Sequence, residues 1–338
     1  MKALRTENLV KTFKKKREKI TAVDHLSMEI EEGEFFGLLG PNGAGKTTTT
    51  KILSTLLLPD TGVAYVGGYD VVKEPNKVKN VLGWMQGESG GRSLYWRLTA
   101  KENLTFFASL EGVPQKIAET RVNSFLKFFD LWEHKDRLVK DLSTGMKVKL
   151  LVARCLIPNP DILILDEPTV GLDVETAAKL RNFFRVLNEQ LNKTILFTSH
   201  KLWEVEELCE RIAVLNKGRL IFQGTPVELK EKTQDISVVE IDIQSDDRWE
   251  DALAKLKGDL EEVVPVKEIL EVRREGGFLN ARLDVGDTFK SIPKLTSALS
   301  RKGWKIDSIG RSLPTLEEAF MEITERDTQE MKRQEKFN

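Results

Sequence analysis

The stretch Gly40–Thr48 constrains the chain most, because its glycine, lysine and threonine residues stand at a fixed spacing. It fits the pattern G-x-x-x-x-G-K-[ST], in which backbone N–H groups surround phosphate oxygens. The apolar run Phe35–Leu39 before it predicts a buried strand, and Thr47–Leu58 after it predicts a helix. The N–H groups and dipole of a helix N-terminus attract anions. This context favours a nucleoside triphosphate site over an ordinary glycine-rich turn.

Each residue type in this loop has a chemical use. Gly43 and Gly45 allow a backbone path that side chains would block. Lys46 is expected to reach the β- and γ-phosphates, and the Thr47 hydroxyl to bind Mg²⁺. The predicted nucleotide-binding residues are Gly40, Pro41, Asn42, Gly43, Ala44, Gly45, Lys46, Thr47 and Thr48.

Two adjacent carboxylates, Asp166 and Glu167, follow the apolar run Ile162–Leu165. The carboxyl end of such a strand is where ligands bind in a doubly wound sheet. Asp166 is expected to hold Mg²⁺, directly or through water, and Glu167 to activate the attacking water as general base. A strand ending in two solvated acids is the alternative, and the phosphate-binding loop favours the metal site. His200 also follows an apolar strand, from which it could contact a γ-phosphate, although a lone histidine is usually structural.

Three weaker signals stay open on the residues alone. Gln86 ends the predicted strand Val81–Gln86 with a polar amide. Ser143 and Gly145 open a helix, where a serine and a glycine can make an anion site, but taken alone the pattern favours a simple helix cap. Phe13 could stack on an adenine ring, but its position favours a strand residue packed in a core.

Length and composition bound the remaining possibilities. The 338 residues suggest two domains, and a net charge of -1 gives no support for a nucleic-acid partner. A basic run at Lys14–Arg17 is more typical of a solvated loop. Two cysteines without a C-x-x-C pattern fit a reducing compartment. No apolar run approaches 18 residues, so we expect a cytoplasmic protein unless a partner carries it to a membrane.

The C-terminal part has a different pattern, in the order strand, helix, strand, strand, helix, strand. This order suggests a ferredoxin-like α+β sandwich. A capped amphipathic helix begins at Thr315, and the charged tail 326–338 is expected to fray. The predicted elements are Val238–Ile243, Trp249–Leu256, Val266–Arg274, Phe278–Val285, Ser291–Leu299 and Trp304–Ile309.

The motifs together resemble the nucleotide-binding subunit of an ABC transporter over residues 1–230. The resemblance implies an α/β P-loop NTPase (ABC ATPase) fold with an antiparallel β subdomain and a helical subdomain. The implied domains are 1–232, with its helical subdomain at about 87–157, a ferredoxin-like accessory domain at 236–325, and the tail. The motifs that carry it are the loop Gly40–Thr48, Gln86, Ser143-Thr144-Gly145-Met146, Asp166-Glu167, Gly171-Leu172-Asp173 and His200.

The family's residue roles transfer position by position. ATP and Mg²⁺ are the implied ligands. Phe13 matches the aromatic residue that stacks on adenine, so the resemblance replaces the interpretation of Phe13 as a core residue of a strand. Glu167, His200 and Gln86 match catalytic positions, and Asp173 matches the aspartate at the dimer interface. The implied Mg²⁺ ligands are Thr47, Gln86 and Asp166.

The signature Ser143, Thr144, Gly145 and Met146 matches the motif that binds the ATP of the opposite subunit. It departs from the usual Leu-Ser-Gly-Gly-Gln at Thr144 and Met146, while the serine and the second glycine are kept. This difference leaves the strength of the ATP-bound dimer open.

Two further stretches, Leu94–Thr99 and Pro314–Phe320, resemble the drug- and antibiotic-exporter (daunorubicin-resistance-like) branch. The resemblance implies an exporter ATPase that pairs with a second copy or a paralogue. It also implies a separate ABC-2 type permease, which would hold the subunit at the inner face of the membrane. Region 87–105, with Tyr95 and Trp96, would receive the permease. A soluble ABC ATPase acting on nucleic acid or ribosomes is the alternative, and the lack of a basic excess and of a second nucleotide-binding unit argues against it.

Overall fold

The computed structural model describes residues 2–15, 18–86, 94–233, 237–245, 249–261, 266–275 and 278–337. Residues 87–93, Lys16, Arg17 and Ile236, which belong to predicted segments, lie outside the described residues. The strands are β1 (Lys2–Lys15), β2 (Glu18–Glu31), β3 (Phe35–Leu39), β4 (Thr61–Val66), β5 (Tyr69–Asp70), β6 (Leu82–Gln86), β7 (Ile162–Asp166), β8 (Thr194–Thr198), β9 (Arg211–Asn216), β10 (Arg219–Gly224), β11 (Ser237–Gln244), β12 (Val266–Glu275), β13 (Phe278–Val285) and β14 (Lys305–Ser312). The helices are α1 (Lys46–Leu53), α2 (Pro75–Val81), α3 (Ala100–Leu110), α4 (Gln115–Phe128), α5 (Thr144–Leu156), α6 (Val174–Glu189), α7 (Leu202–Leu208), α8 (Pro226–Lys232), α9 (Trp249–Glu261), α10 (Thr288–Arg301) and α11 (Leu316–Phe337).

Contacts between Cα atoms divide the chain into two units, Met1–Pro226 with Asp327–Asn338 and Val227–Arg326. None of the described helices is long and apolar enough to cross a membrane.

The first unit is built on a six-stranded sheet in the order β10-β9-β3-β8-β7-β6. Strands β3, β6, β7, β8 and β9 pair in parallel, and β10 pairs antiparallel with β9. Every residue of β3, β7 and β8 is buried, as the apolar runs within their sequences predict for parallel strands covered on both faces. The carboxyl ends of the parallel strands therefore meet at one edge, where the candidate site lies.

A second, antiparallel sheet in the order β2-β1-β4-β5 packs beside α1. Leu9 and Ile30 of this sheet share a core with Ile52 of α1 and with Ile164 and Leu196 of the parallel sheet. Three helices, α3 to α5, form the helical part between β6 and β7. Helix α3 begins at a capping box in which Thr99 and Glu102 bond each other's backbone N–H groups.

The second unit has an antiparallel sheet in the order β12-β13-β11-β14, with α9 and α10 on one face. Its core joins alternate residues of β11, such as Val239 and Ile241, to Leu256 of α9 and Leu299 of α10. This alternation is the period of two expected for a sheet covered on one face. On the other face, the Asn280 amide donates to Glu240 at 2.8 Å and to Asp242 at 2.9 Å.

Several element bounds differ from the sequence expectation: α9 runs to Glu261 instead of Leu256, and α10 begins at Thr288 instead of Ser291. Two further differences, in α1 and in the tail, have a visible cause. Helix α1 ends at Leu53 instead of Leu58, because Thr55 takes a left-handed φ of 60° that a helix cannot continue through. The tail expected to fray is helical to Phe337. Within the first unit, the Asn216 amide donates to Asp327 at 2.7 Å and to the Thr328 hydroxyl at 3.1 Å, which anchors this turn of the helix.

Candidate active site

The glycine-rich loop joins β3 to α1 in a conformation that requires glycine. Gly45 precedes the first residue of α1 and has a φ of 105°. A Cβ atom there would lie 2.3 Å from the backbone oxygen of Ala22. A side chain would therefore be strained and would also collide with β2.

Lys46 is held inside this loop. Its Nζ donates to the backbone oxygens of Gly40 at 2.6 Å and Pro41 at 3.3 Å, and the residue is 8% exposed. Burial lowers the pKa of the ammonium, and the carboxylates of Glu167 and Asp166 oppose that shift. A cation among backbone carbonyls and carboxylates is placed to exchange these partners for phosphate oxygens.

Three neighbouring parallel strands end in polar residues at the same level. Gln86 of β6 pairs with Asp166 of β7, and Asp166 pairs with Thr198 of β8. The Thr198 hydroxyl donates to Asp166 Oδ1 at 2.6 Å. The sheet register alone thus sets an amide, a carboxylate and a hydroxyl side by side.

Glu167 follows Asp166 in a strained backbone conformation, with a φ of 54°. Its N–H donates to both the backbone oxygen and the hydroxyl of Thr198, at 3.1 Å and 3.0 Å. Its Oε2 lies 3.6 Å from Nδ1 of His200. The turn therefore directs the Glu167 carboxylate toward the end of β8, where the histidine lies.

These side chains share one cleft of about 670 Å³. Gly40 and Pro41, whose carbonyl oxygens accept from Lys46, are outside its lining. Ile20, Ala22 and Val170 are lining residues that sequence reasoning missed. Phe13, whose position alone favoured a core, is 41% exposed at the cleft, with the Lys11 ammonium 5.8 Å from its ring centre. The predicted site residues that line it are Phe13, Asn42, Gly43, Ala44, Gly45, Lys46, Thr47, Thr48, Gln86, Asp166, Glu167 and His200.

The cleft offers few protein ligands for a metal ion. Among the described residues, no group of three or more histidine, cysteine or acidic side chains could hold one. Thr47, Gln86 and Asp166 supply a hydroxyl, an amide oxygen and a carboxylate, all of them hard oxygen donors. Such a sparse oxygen set fits Mg²⁺, which takes its remaining ligands from water and substrate phosphates.

The predicted signature residues lie outside the lining of this cleft and form a separate exposed surface with Asp173. The Ser143 hydroxyl caps α5 by accepting from Met146 N–H at 3.2 Å, and Asp173 caps α6 by accepting from Thr176 N–H at 2.8 Å. The bond from Thr176 lowers the pKa of the Asp173 carboxyl. A Cβ atom on Gly145 would meet Leu172 and Thr176 at 3.9 Å, so the two helix N-termini are neighbours. This surface combines two sources of backbone N–H groups and helix dipole.

Three buried polar residues near the cleft were missed by the sequence reasoning. Thr198 bonds both Asp166 and Glu167, while Thr169 and Glu204 bond each other at 2.7 Å. The available signals were the strand-end position of Thr198 and the position of Glu204, four residues after His200. Neither spacing indicates a function without the fold.

Comparison with known proteins agrees with this geometry. The profile of the ABC transporter family matches residues 23–170. The daunorubicin/doxorubicin resistance ATP-binding protein DrrA of Streptomyces peucetius is 33% identical over 345 residues, which cover 99% of this chain and 98% of that protein. The ABC transporter ATP-binding protein NatA of Bacillus subtilis (strain 168) is 39% identical over 229 residues, covering 67% of this chain and 92% of NatA.

Among solved structures, the fold matches the ATP-binding cassette MJ0796, described as a dimeric post-hydrolysis state bound to ADP and Pi. The TM-score is 0.60 at 28% identity, over 66% of this chain and 98% of that one. The predicted resemblance to the ABC family and its daunorubicin-resistance-like branch is confirmed, and the nucleic-acid alternative is not favoured. The chain belongs to the ATP-binding subunits of ABC transporters, and it is an ATPase whose hydrolysis is coupled to transport.

Proposed function

We propose that this subunit drives a drug exporter, with Glu167 as the general base of ATP hydrolysis. The observation that carries the proposal is the shared cleft, in which Glu167 and His200 face the phosphate loop that contains Lys46. The names of the relatives, which describe daunorubicin and doxorubicin resistance, support export over import.

In the proposed mechanism, the loop Asn42–Thr48 holds the phosphates through its N–H groups, and Phe13 stacks on the adenine ring. Lys46 leaves the carbonyls of Gly40 and Pro41 and neutralises the β- and γ-phosphates. Glu167 takes the proton of the water that attacks the γ-phosphorus. The His200 ring bonds the γ-phosphate and, from 3.6 Å, also orients the Glu167 carboxylate.

Thr47, Gln86 and Asp166 would hold Mg²⁺. The ion would supply positive charge that offsets the negative charge on the phosphate oxygens as the bond from the γ-phosphorus to the bridging oxygen of ADP breaks. Thr198 keeps Asp166 in place through its 2.6 Å hydrogen bond.

The second half of each ATP site is proposed to come from another copy of the chain or from a paralogue. Ser143 and Thr144 are exposed, and so is Asp173, next to an 86% exposed Val174. The two capped helix N-termini on this surface favour an anion, and a γ-phosphate is the anion that the facing loop would hold. Dimer closure would bring Ser143 and Gly145 onto the nucleotide held by the facing loop, with Thr144 and Met146 at the altered signature positions.

A separate ABC-2 type permease is proposed to receive the motion, and to hold the subunit at the inner face of the membrane. Tyr95 and Trp96 are each about half exposed, at 51% and 50%. The Tyr95 ring packs edge-on against Phe106 at 4.9 Å. An aromatic patch of this kind is typical of a protein contact.

The second unit is proposed to be a ferredoxin-like accessory domain at 236–325, supported by its sheet order β12-β13-β11-β14.

The dimer proposal is tested by light scattering on the purified full chain. The Glu167→Gln variant with MgATP should reach twice the 38.4 kDa of one chain, because it keeps the phosphate loop but does not release the trapped nucleotide. Lys46→Ala is the matched control and should stay monomeric. A monomeric Glu167→Gln variant at saturating MgATP would contradict pairing with a second copy and would leave only a paralogue as the partner.

A further inference from the structure

A buried carboxylate that takes no part in the mechanism above bonds segments that line the cleft. Glu204, on α7, is 0% exposed. Its Oε2 accepts from the Thr169 hydroxyl at 2.7 Å and from the Ser199 hydroxyl at 2.8 Å. Its Oε1 lies 3.4 Å from Arg181 Nη1 and 3.6 Å from Lys201 Nζ. A fully buried carboxylate is costly unless such donors and cations surround it.

The partners of Glu204 belong to the segments that carry the reacting groups. Thr169 comes two residues after Glu167, and Ser199 comes directly before His200. Arg181 lies on α6, the helix that Asp173 caps. One side chain therefore connects the Glu167 turn, the His200 loop and the helix that carries the exposed dimer surface.

The strained conformation of Glu167 explains why such a connection is needed. A non-glycine residue at a φ of 54° persists only where its surroundings over-determine it. Thr198 fixes the start of the turn through the Glu167 N–H. Glu204 fixes its other end through Thr169, and its bond to Ser199 holds the loop that sets the position of His200.

The charge of Glu204 matters as well as its shape. Both hydroxyls donate to the same oxygen, and two cations, Arg181 and Lys201, face the other one, so the group must be acceptor-only. A glutamine of the same size would turn an NH₂ toward either the hydroxyls or Arg181.

We propose that Glu204 is a positioning residue for ATP hydrolysis, which holds Glu167 and His200 at their working separation and links them to α6. The inference rests on the proposed role of Glu167. It assigns Glu204 no contact with nucleotide, so its effect should fall on turnover and not on binding.

The test compares Glu204→Gln and Glu204→Asp with Glu207→Gln in the full chain. Glu207 lies on the same helix and shares Arg181 with Glu204, but its carboxylate is 39% exposed and bonds Arg181 and Arg185. Both Glu204 variants should lose roughly 10- to 100-fold in kcat, because a displaced catalytic group costs about that much. Their Kd for the non-hydrolysable analogue AMP-PNP should change by less than about twofold, and Glu207→Gln should keep kcat within about twofold of wild type.

A second pair of variants guards against a simple folding defect. Thr169→Val removes the hydroxyl with little change in side-chain volume and should lower kcat. Thr169→Ser keeps the hydroxyl and should have a kcat close to that of wild type. The Thr169→Val and Glu204→Gln effects should be less than additive, since they break the same connection. Wild-type kcat in both Glu204 variants, an equal loss in Glu207→Gln, or a parallel loss of AMP-PNP binding would overturn the inference.

The Glu167→Gln variant, measured in parallel, separates this inference from the proposed function. If Glu167→Gln hydrolyses ATP normally, the proposed function fails. If Glu167→Gln is inactive while Glu204→Gln is as fast as wild type, only the positioning role of Glu204 is wrong.

Discussion

The hydroxyl of Thr198 lies 2.6 Å from Oδ1 of Asp166, across the register that pairs the last residues of β8 and β7. The same hydroxyl accepts from the N–H of Glu167 at 3.0 Å. One buried threonine thus fixes both the proposed metal ligand and the proposed general base.

The Thr198 hydroxyl should affect activity as well as stability, unlike a comparable hydroxyl at the other end of β8. Thr198→Val is expected to lower kcat about tenfold and to cost about 1 kcal/mol of unfolding free energy, because it breaks one hydrogen bond and leaves an N–H with one acceptor fewer. Thr194→Val is the matched control at the opposite end of β8, where the hydroxyl accepts from Gly33 N–H at 2.9 Å. The control should lose similar stability in a denaturant titration and keep its kcat, and an equal loss of kcat in both would contradict the assignment.

The signature serine can be tested against another helix cap. Ser143→Ala and Thr99→Ala each remove an N-cap hydroxyl and should each cost about 1 kcal/mol of stability. Only Ser143→Ala should weaken the ATP-dependent dimer of the Glu167→Gln background, measured by light scattering. Equal dimer affinity in both variants would remove Ser143 from the proposed second half of the site.

The aromatic surface at Tyr95 and Trp96 is proposed to contact the permease, so a substitution there should weaken permease binding and leave the fold intact. Trp96→Ala should leave the MgATP affinity of the purified subunit unchanged and reduce its recovery with the co-expressed permease from detergent extracts. Phe128→Ala, another exposed aromatic residue of the helical part at 58%, should recover the permease like wild type. If Trp96→Ala recovers as much permease as wild type, Trp96 is not part of the permease contact.

The two buried cysteines predict how stability depends on alkaline pH. Burial raises the pKa of the Cys155 thiol to about 12 and that of Cys209 well above its ordinary value. The thiols should therefore be inert to thiol reagents in the native protein at pH 8 and reactive in guanidinium.

The same thiols should make the free energy of unfolding depend on alkaline pH. The unfolded thiols ionise at about 8.5 and the folded ones do not, so their contribution to this free energy is complete below that pH and is lost as the pH rises toward the folded pKa. Cys155→Ser and Cys209→Ser variants should show a smaller alkaline loss of stability than wild type.

The sequence predicted most of the cleft, because its motifs are local and each ends a strand or begins a helix. Asp166 and His200 could be placed near the phosphate loop from the rule that ligands bind at the carboxyl ends of parallel strands, whereas the role of Gln86 came from the family resemblance. Glu204 could not, because its partners Thr169 and Arg181 are distant in sequence and meet only in the packed fold.

Helix ends were predicted less well, for a physical reason. The apolar spacing of Leu56 and Leu57 continues the pattern of α1, but Thr55 turns the chain and leaves Leu56 55% exposed. The helix in the charged tail was missed because periodicity does not show the hydrogen bond from Asn216 to Asp327.

The role of Glu167 as general base is tested most directly by the rate of ATP hydrolysis of Glu167→Gln in a single-turnover assay, with ATP affinity measured on the same preparation. We expect the rate to fall about 100- to 10,000-fold, the range of a missing general base, with ATP still bound through the Lys46 loop. Hydrolysis at the wild-type rate would contradict it, and so would a loss of ATP affinity as large as the loss of rate.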